Sequence, residues 1–410
     1  MLATAISMAG ALFSLVTSAY CGDCFGRRPV ILVCIAIALP AMVLCCFART
    51  YLLYVCTGVF TSGCTMSPIR LIVTIMVESC SFARRPALLS LCVMTSVILA
   101  DACFTVLKRV PNLSWSFLQL IMAAPSFLRP SAYFLVHESP RWLIASRRPK
   151  AAEGVMLAAA KSNGRTNDCV NLLLRRVEER LKADESASAT STVVKDITRV
   201  MRRHAAIMFG SSFSVIIAFH VCLFSLIERR SASEWAEWAS LGAKALACCL
   251  LLMVINRIDI MRLISDVFLV LGSFCCLTSI AAIATAGVPS MHIVADIILV
   301  LTLAAASIGV VVNFDLVAEL LPNPFRSFAI CLVPAGGRLG GMLGALFSAV
   351  VGITREDLVF WLVATVVYVS FYTLQYLPLE YGTFAKLADA EGKTSRPFGE
   401  SQGKPEHGRE

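Results

Sequence analysis

The sequence predicts an all-α polytopic membrane protein, and three observations carry that expectation. Of its 410 residues, 58% are hydrophobic and 15% are charged, where soluble domains are about 45 to 50% apolar. The mean hydropathy is +0.76. Apolar runs long enough to cross a bilayer, which takes about 20 residues each, recur from end to end. Eleven can be drawn, near 1–20, 30–48, 51–77, 86–107, 115–136, 205–227, 235–255, 263–286, 292–317, 328–352 and 358–377. Transmembrane β-strands would be about ten residues long and alternating, and these runs are neither.

Run 1–20 lacks a basic n-region and is followed at once by a charged turn and a second oily run, so it reads as a true span and not as a signal peptide. That turn, CGDCFGRRPV at 21–30, places Asp23, Gly26, Arg27 and Arg28 between two spans. A second charged turn, with Glu78, Arg84 and Arg85, follows run 51–77. The next loop holds an Asn112-Leu113-Ser114 sequon but is too short to invite glycosylation. After run 115–136 a soluble insert begins at Glu138, where Pro149 to Ser162 reads as a short helix stopped by Asn163-Gly164. A second surface helix is expected from about Asn167, then a Ser/Ala link at 186–192; six further runs and a disordered tail complete the chain.

The seventeen cysteines sit mostly inside apolar runs, where thiols act as small hydrophobes. Cys21 and Cys24 form a lone CxxC, and no metal site is expected from it. Alternate connections between runs carry 26 and six Lys or Arg. The positive-inside rule therefore puts the Arg27–Arg28 turn, the insert and the tail in the cytosol, and the amino terminus outside. The net charge of +9 follows from this topology and implies no nucleic-acid partner.

The two halves echo each other. Glu78 and Arg85 are seven residues apart, as are Glu319 and Arg326; Asp23 precedes the first pair by 55 residues and Asn256 the second by 63. Parallel repeats of this kind mark secondary transporters of the major facilitator type. Run 205–227 has no counterpart in the first half, so the expectation is eleven of twelve spans. A truncated gene model is one cause, a genuine eleven-helix protein the other. The organisation expected is an amino-terminal bundle at 1–137, a cytosolic helical linker at 138–203, a carboxyl-terminal bundle at 204–377 and a cytosolic tail at 378–410.

Charges inside spans are costly, about 2.5 to 3.5 kcal/mol at mid-bilayer, and by default face a water-filled cavity. Lys244 and Arg338 sit near the middle of their runs, whereas Arg70, Asp101 and Arg129 lie off-centre. Asp101 and Asp315 are the acids that could neutralise Arg338. Arg338 lies in GGRLGGMLG, whose Gly336, Gly340 and Gly344 recur every fourth residue and let helix backbones approach.

These residues resemble solute carrier family 22, the organic cation, organic anion and carnitine transporters of the major facilitator superfamily. The resemblance rests on GDCFGRRP at 22–29, Glu78 with Arg84 and Arg85, HESPRWLIASRRPKAAE at 137–153, AELLPNPFR at 318–326 and LPLEYGTFAKLADAE at 377–391. The first family helix and the large extracellular loop after it are absent, and NRIDIMR at 256–262 lacks the glycine and double arginine of the first-half motif. The resemblance implies a cytosolic latch between the halves built from Asp23, Gly26, Arg27, Arg28, Glu78, Arg85, Glu138, Arg141, Glu319 and Arg326. Such pairs are expected to be exposed, each contributing about 0 to 1 kcal/mol. It also implies a cavity touched by Arg338, Lys244, Phe219 and His220. Arg338 stands where anion and carnitine carriers have Arg and cation carriers Asp; Lys244 stands where cation carriers usually have Glu.

The function expected is secondary transport of small organic ions by alternating access, leaning to organic anions or carnitine-like zwitterions. The alternatives are an organic cation transporter and a non-transporting membrane scaffold or sensor. Nothing matches a Walker loop, a metal cluster or a nucleophile triad, so no cofactor, ATP or enzymatic chemistry is expected. The expected partners are a small organic ion and the lipid bilayer, and the expected site is the plasma membrane.

Overall fold

The computed structural model describes residues 2–79, 85–107, 109–110, 114–128, 136–146, 148–164, 191–229, 235–288, 291–320, 323–352 and 355–377. In order, the helices are α1 (Leu2–Phe25), α2 (Arg27–Cys46), α3 (Tyr51–Ser79), α4 (Arg85–Leu107), α5 (Trp115–Ala123), α6 (Pro140–Ala145), α7 (Pro149–Ser162), α8 (Ser191–Arg229), α9 (Trp235–Val254), α10 (Ile260–Gly287), α11 (His292–Leu320), α12 (Asn323–Phe347) and α13 (Glu356–Leu374). No strand occurs among the described residues.

Nine of these helices are long and apolar enough to cross a membrane, counted among the described residues. This is an integral, multi-pass membrane protein. The other two of the eleven predicted runs fall partly where the backbone or the side chains lie outside the described residues. Run 115–136 forms α5, capped by the Ser114 hydroxyl accepting from the Phe117 N–H, and a 3-10 turn at Ala124–Leu128; Arg129 lies outside the described residues. Run 328–352 falls in the glycine-rich α12 and a π-helical turn, Ser348–Gly352.

The insert begins as read. Ser139 caps α6, with Pro140 in its first turn where no amide hydrogen is needed. Asn163 caps α7, and Gly164 takes φ 64°, the left-handed value that favours glycine. The helix expected near Asn167 lies outside the described residues. α8 is 39 residues long and starts at Ser191, crossing the boundary drawn at 203. Its first turns are polar and basic, so hydropathy hid them, yet no Pro or Gly interrupts the helix before Gly210.

Packing in a bilayer cannot rely on expelling water, so small residues and interhelical hydrogen bonds carry it. In the first half, Ser14 of α1 bonds Ser67 of α3 at 2.7 Å and the Gly63 carbonyl at 2.9 Å. In the second, Ser211 of α8 donates to Asn313 of α11 at 2.7 Å, and Thr278 of α10 meets Thr302 of α11 at 2.8 Å. A methyl group placed on Gly340 of α12 would run into the Phe213 carbonyl of α8, which is how the four-residue glycine spacing is used. The halves meet where α1 and α3 pack on α12, and where α4 packs on α9 and α11.

Candidate functional site

At the end of the bundle expected to face the cytosol, the turn between α1 and α2 is closed by Gly26 at φ 100°, a value that L side chains rarely adopt. A Cβ there would also lie 2.8 Å from the Glu138 carboxylate. Glu138 accepts the Arg28 amide at 3.0 Å and the Ser139 amide at 3.1 Å, while the Trp142 indole donates to the Asp23 carbonyl at 3.1 Å. Beneath this turn Arg27 reaches Glu78 of α3 at 3.0 Å and Asp23 at 3.9 Å.

Six of the expected latch residues, Asp23, Gly26, Arg27, Arg28, Glu78 and Glu138, are thus brought together. One feature departs from the reading of exposed pairs: Arg27 and Glu78 are buried, with side-chain exposures of 4% and 2%, because they converge between α2 and α3. The side chains of Arg85, Arg141, Glu319 and Arg326 lie outside the described residues, as does Arg84 altogether.

Between the halves lies a cavity of about 360 Å³ walled by α3, α4, α8, α11 and α12, within the common range of small-molecule sites. Its wall is mostly apolar, with Met66, Val93, Val215, Val311 and Val333, and three predicted residues share it: Arg338, Phe219 and His220. The Arg338 guanidinium sits against two thioethers, Met8 at 3.3 Å and Met66 at 2.8 Å. Among the described residues no carboxylate lies within ion-pair distance of it. The acids considered as its neutralisers are engaged elsewhere: Asp101 pairs with Lys244, and Asp315 accepts a 2.6 Å bond from Ser90. His220 bonds the Ile216 carbonyl at 2.9 Å through Nδ1, and its ring packs against Gly341. Lys244 is not part of the wall; it is 1% exposed, paired with Asp101, and 5.7 Å from the centroid of Phe219, which is part of it.

α4 carries polar links to the other half at both ends of this cavity. Near the end of α4 that carries Arg85, Ser90 bonds Asp315 of α11. Towards the opposite end, Asp101 holds Lys244 of α9, and Arg109, in the turn just after α4, reaches Glu237 of α9 at 3.3 Å with its guanidinium 4.7 Å from the Trp238 ring. Arg70 of α3 lies over the Phe314 ring of α11 at 3.8 Å. None of these pairs was named from the sequence. The one available signal was that charges inside spans need partners, which marks Asp101 and Lys244 as members of a pair without saying which pair.

The sugar (and other) transporter family profile matches residues 1–379. Solute carrier family 22 member 22 of Mus musculus is 26% identical over 356 residues, 85% of this chain and 62% of that protein. Solute carrier family 22 member 3 of Rattus norvegicus is 26% identical over 356 residues, 83% and 60% respectively. The chain therefore spans about three fifths of the length of these relatives. In fold it is similar to the proton:xylose symporter XylE of E. coli, with a TM-score of 0.70 at 14% identity over 91% of this chain and 84% of that one. The chain therefore belongs to the sugar (and other) transporter family; it resembles solute carrier family 22 proteins in sequence and has the fold of major facilitator transporters.

Proposed function

We propose that the protein moves small organic anions, or zwitterions bearing a carboxylate, across the plasma membrane by alternating access. One observation supports the reading above the others: Arg338 faces a largely apolar cavity between the halves and, among the described residues, has only thioethers in hydrogen-bond reach. A guanidinium in such a wall is poorly compensated, since thioether sulfur is a weak acceptor. A carboxylate entering the cavity supplies two strong acceptors in matching bidentate geometry. The apolar wall suits an organic body behind that headgroup. The buried Arg27–Glu78 pair stiffens the amino-terminal half, and the α4 contacts towards either end of the cavity are the ones that exchange as access alternates.

The test is uptake of a labelled panel of organic monoanions, zwitterions and monocations into proteoliposomes holding the purified chain. Anion uptake is expected, and Arg338→Asp is expected to abolish it. Unchanged anion uptake in that variant, or a wild type that moves only cations, overturns the proposal. A second reading, a sensor or scaffold, is favoured by the links that tie α4 to the other half at both ends of the cavity. It is recognised by anion binding without flux.

A further inference from the structure

We infer that Met66 is a modification site: oxidation of its thioether to the sulfoxide puts a strong acceptor against Arg338 and weakens carboxylate binding in the cavity. The inference rests on the anion reading of Arg338 and adds a redox control of that same site.

Two methionines line the cavity, Met66 of α3 and Met94 of α4. Met94 is 1% exposed and packs into the large apolar core. Met66 is half-buried, and its sulfur lies 2.8 Å from Nη2 of Arg338. Met8 of α1 meets Nη1 of the same guanidinium at 3.3 Å but is not part of the wall. Hydrogen peroxide is little larger than water. Entering the cavity, it meets in Met66 a thioether that is both open to it and in contact with the arginine.

Peroxide transfers one oxygen atom to a thioether. The sulfur lone pair attacks, the O–O bond breaks as the S–O bond forms, and the hydroxide released takes the proton of the new S–OH group and leaves as water. Sulfur loses two electrons and peroxide gains them, and the product is a polar, chiral sulfoxide. Thioether sulfur is a weak acceptor, whereas the sulfoxide oxygen carries a large partial negative charge and is a strong one. The unbranched methionine chain lets the sulfur withdraw and the oxygen take up the bond to Nη2. That oxygen then occupies a donor that a bidentate carboxylate needs. Being tethered on α3, it competes at high effective concentration. The sulfoxide is neutral, so Arg338 keeps its charge, and Arg70 in the same wall keeps its own. The expected result is a weakened site and not an abolished one. Met66 thus acts through Arg338 and is a positioning residue.

The experiment treats the detergent-purified chain with hydrogen peroxide, stops the reaction with catalase, and reverses sulfenic acids and disulfides with dithiothreitol, which leaves sulfoxides in place. Peptide mass spectrometry then measures oxygen at Met66, and calorimetry measures octanoate affinity. Met66 is expected to gain one oxygen, and octanoate affinity to fall about tenfold with it, as one hydrogen bond to a charged group allows. Met66→Leu, with no sulfur at that place, is expected to keep its own starting affinity through the same treatment. Met66→Gln supplies a neutral amide oxygen in place of the sulfoxide. Before any peroxide is added it is expected to bind octanoate about tenfold more weakly than Met66→Leu, a difference that space-filling alone does not produce. Three results overturn the inference: full oxidation of Met66 with affinity unchanged, a Met66→Leu protein that loses affinity to peroxide as the wild type does, or no oxygen at Met66 when Met291, exposed in the turn before α11, is converted. Should Met66→Leu fail to fold, Met66→Gln is compared with the untreated wild type, and equal affinities overturn the inference. If Arg338→Gln leaves octanoate affinity unchanged, or the untreated wild type binds no carboxylate, the anion reading itself falls. If Arg338 matters and oxidation of Met66 does not, only the role of Met66 falls.

Discussion

α4 and α12 stand at equivalent places in the sequence repeat, each following the Glu of a Glu and Arg seven residues apart and holding the Arg in its first turn, and the two are held differently. α12 presses its glycine ridge into α8 so closely that Gly336, Gly337 and Gly340 leave no room for a side chain. α4 packs more extensively on α9 and α11 of the opposite half than on α3 or α5 of its own. Only 17% of its spanning segment is buried, against 56% for that of α8, and Leu91, Leu99 and Val106 face outward. The large apolar core follows the same division: it joins α8 to α13 and takes in Met94 of α4, while the amino-terminal half holds several small clusters. Close backbone packing is rigid and short-ranged, whereas ion pairs and hydroxyl bonds can be broken and remade. The comparison assigns α12 to the fixed frame and α4 to the part that moves.

The largest expected effect tests the amino-terminal half, where a buried ion pair compensates for a thin core. Arg27→Ala leaves Glu78 buried with its principal cation removed, and losses of that kind run to about 3 to 5 kcal/mol. Thermal unfolding in detergent should show it plainly. Replacing both residues by Met should recover most of the loss, because the pair's own desolvation is then avoided. A single variant as stable as the wild type would remove the ion pair from any structural role.

The next effect sharpens the α12 side. Gly340→Leu forces a side chain against the Phe213 carbonyl of α8 and is expected to cost about 1 to 3 kcal/mol through overpacking. Ala100→Leu, on the exposed face of α4, is expected to leave the unfolding midpoint within error. Equal effects at the two positions would erase the contrast.

The legibility of these features follows the range of the forces behind them. Spans were legible because crossing a bilayer imposes a length and a composition on consecutive residues. Gly26 and the end of α7 were legible because turn geometry is local. The early start of α8 was not, since a polar helix leaving the membrane loses its hydropathy signal. The cavity position of Arg338 was readable from its mid-span charge, but its thioether neighbours were not, because Met8 lies 330 residues away in sequence. The partnership of Asp101 with Lys244, 143 residues apart, was equally hidden. The sequence could require a counter-charge for Lys244, and only the packing of α4 on α9 chooses it.

The smallest expected effect lies at the outer end of α4 and separates a weak link from an idle one. Arg109 is one third exposed while Glu237 is nearly buried, so their 3.3 Å contact is partly screened, and such pairs contribute about 0 to 1 kcal/mol. The Trp238 ring adds a cation–π contact of about 0.5 to 1 kcal/mol at a site with this access to water. Arg109→Ala should therefore lower stability by about 1 kcal/mol, far less than Arg27→Ala, even though both remove an arginine from an ion pair. A double-mutant cycle with Glu237→Ala should give a coupling no larger than that, and it should shrink as salt rises, because exposed charges are screened within about 10 Å at 0.1 M ionic strength. A coupling of several kcal/mol, or one insensitive to salt, would mean that the outer end of α4 is as firmly held as the buried pair at the cytosolic turn. The distinction between a movable α4 and a fixed frame would then fail.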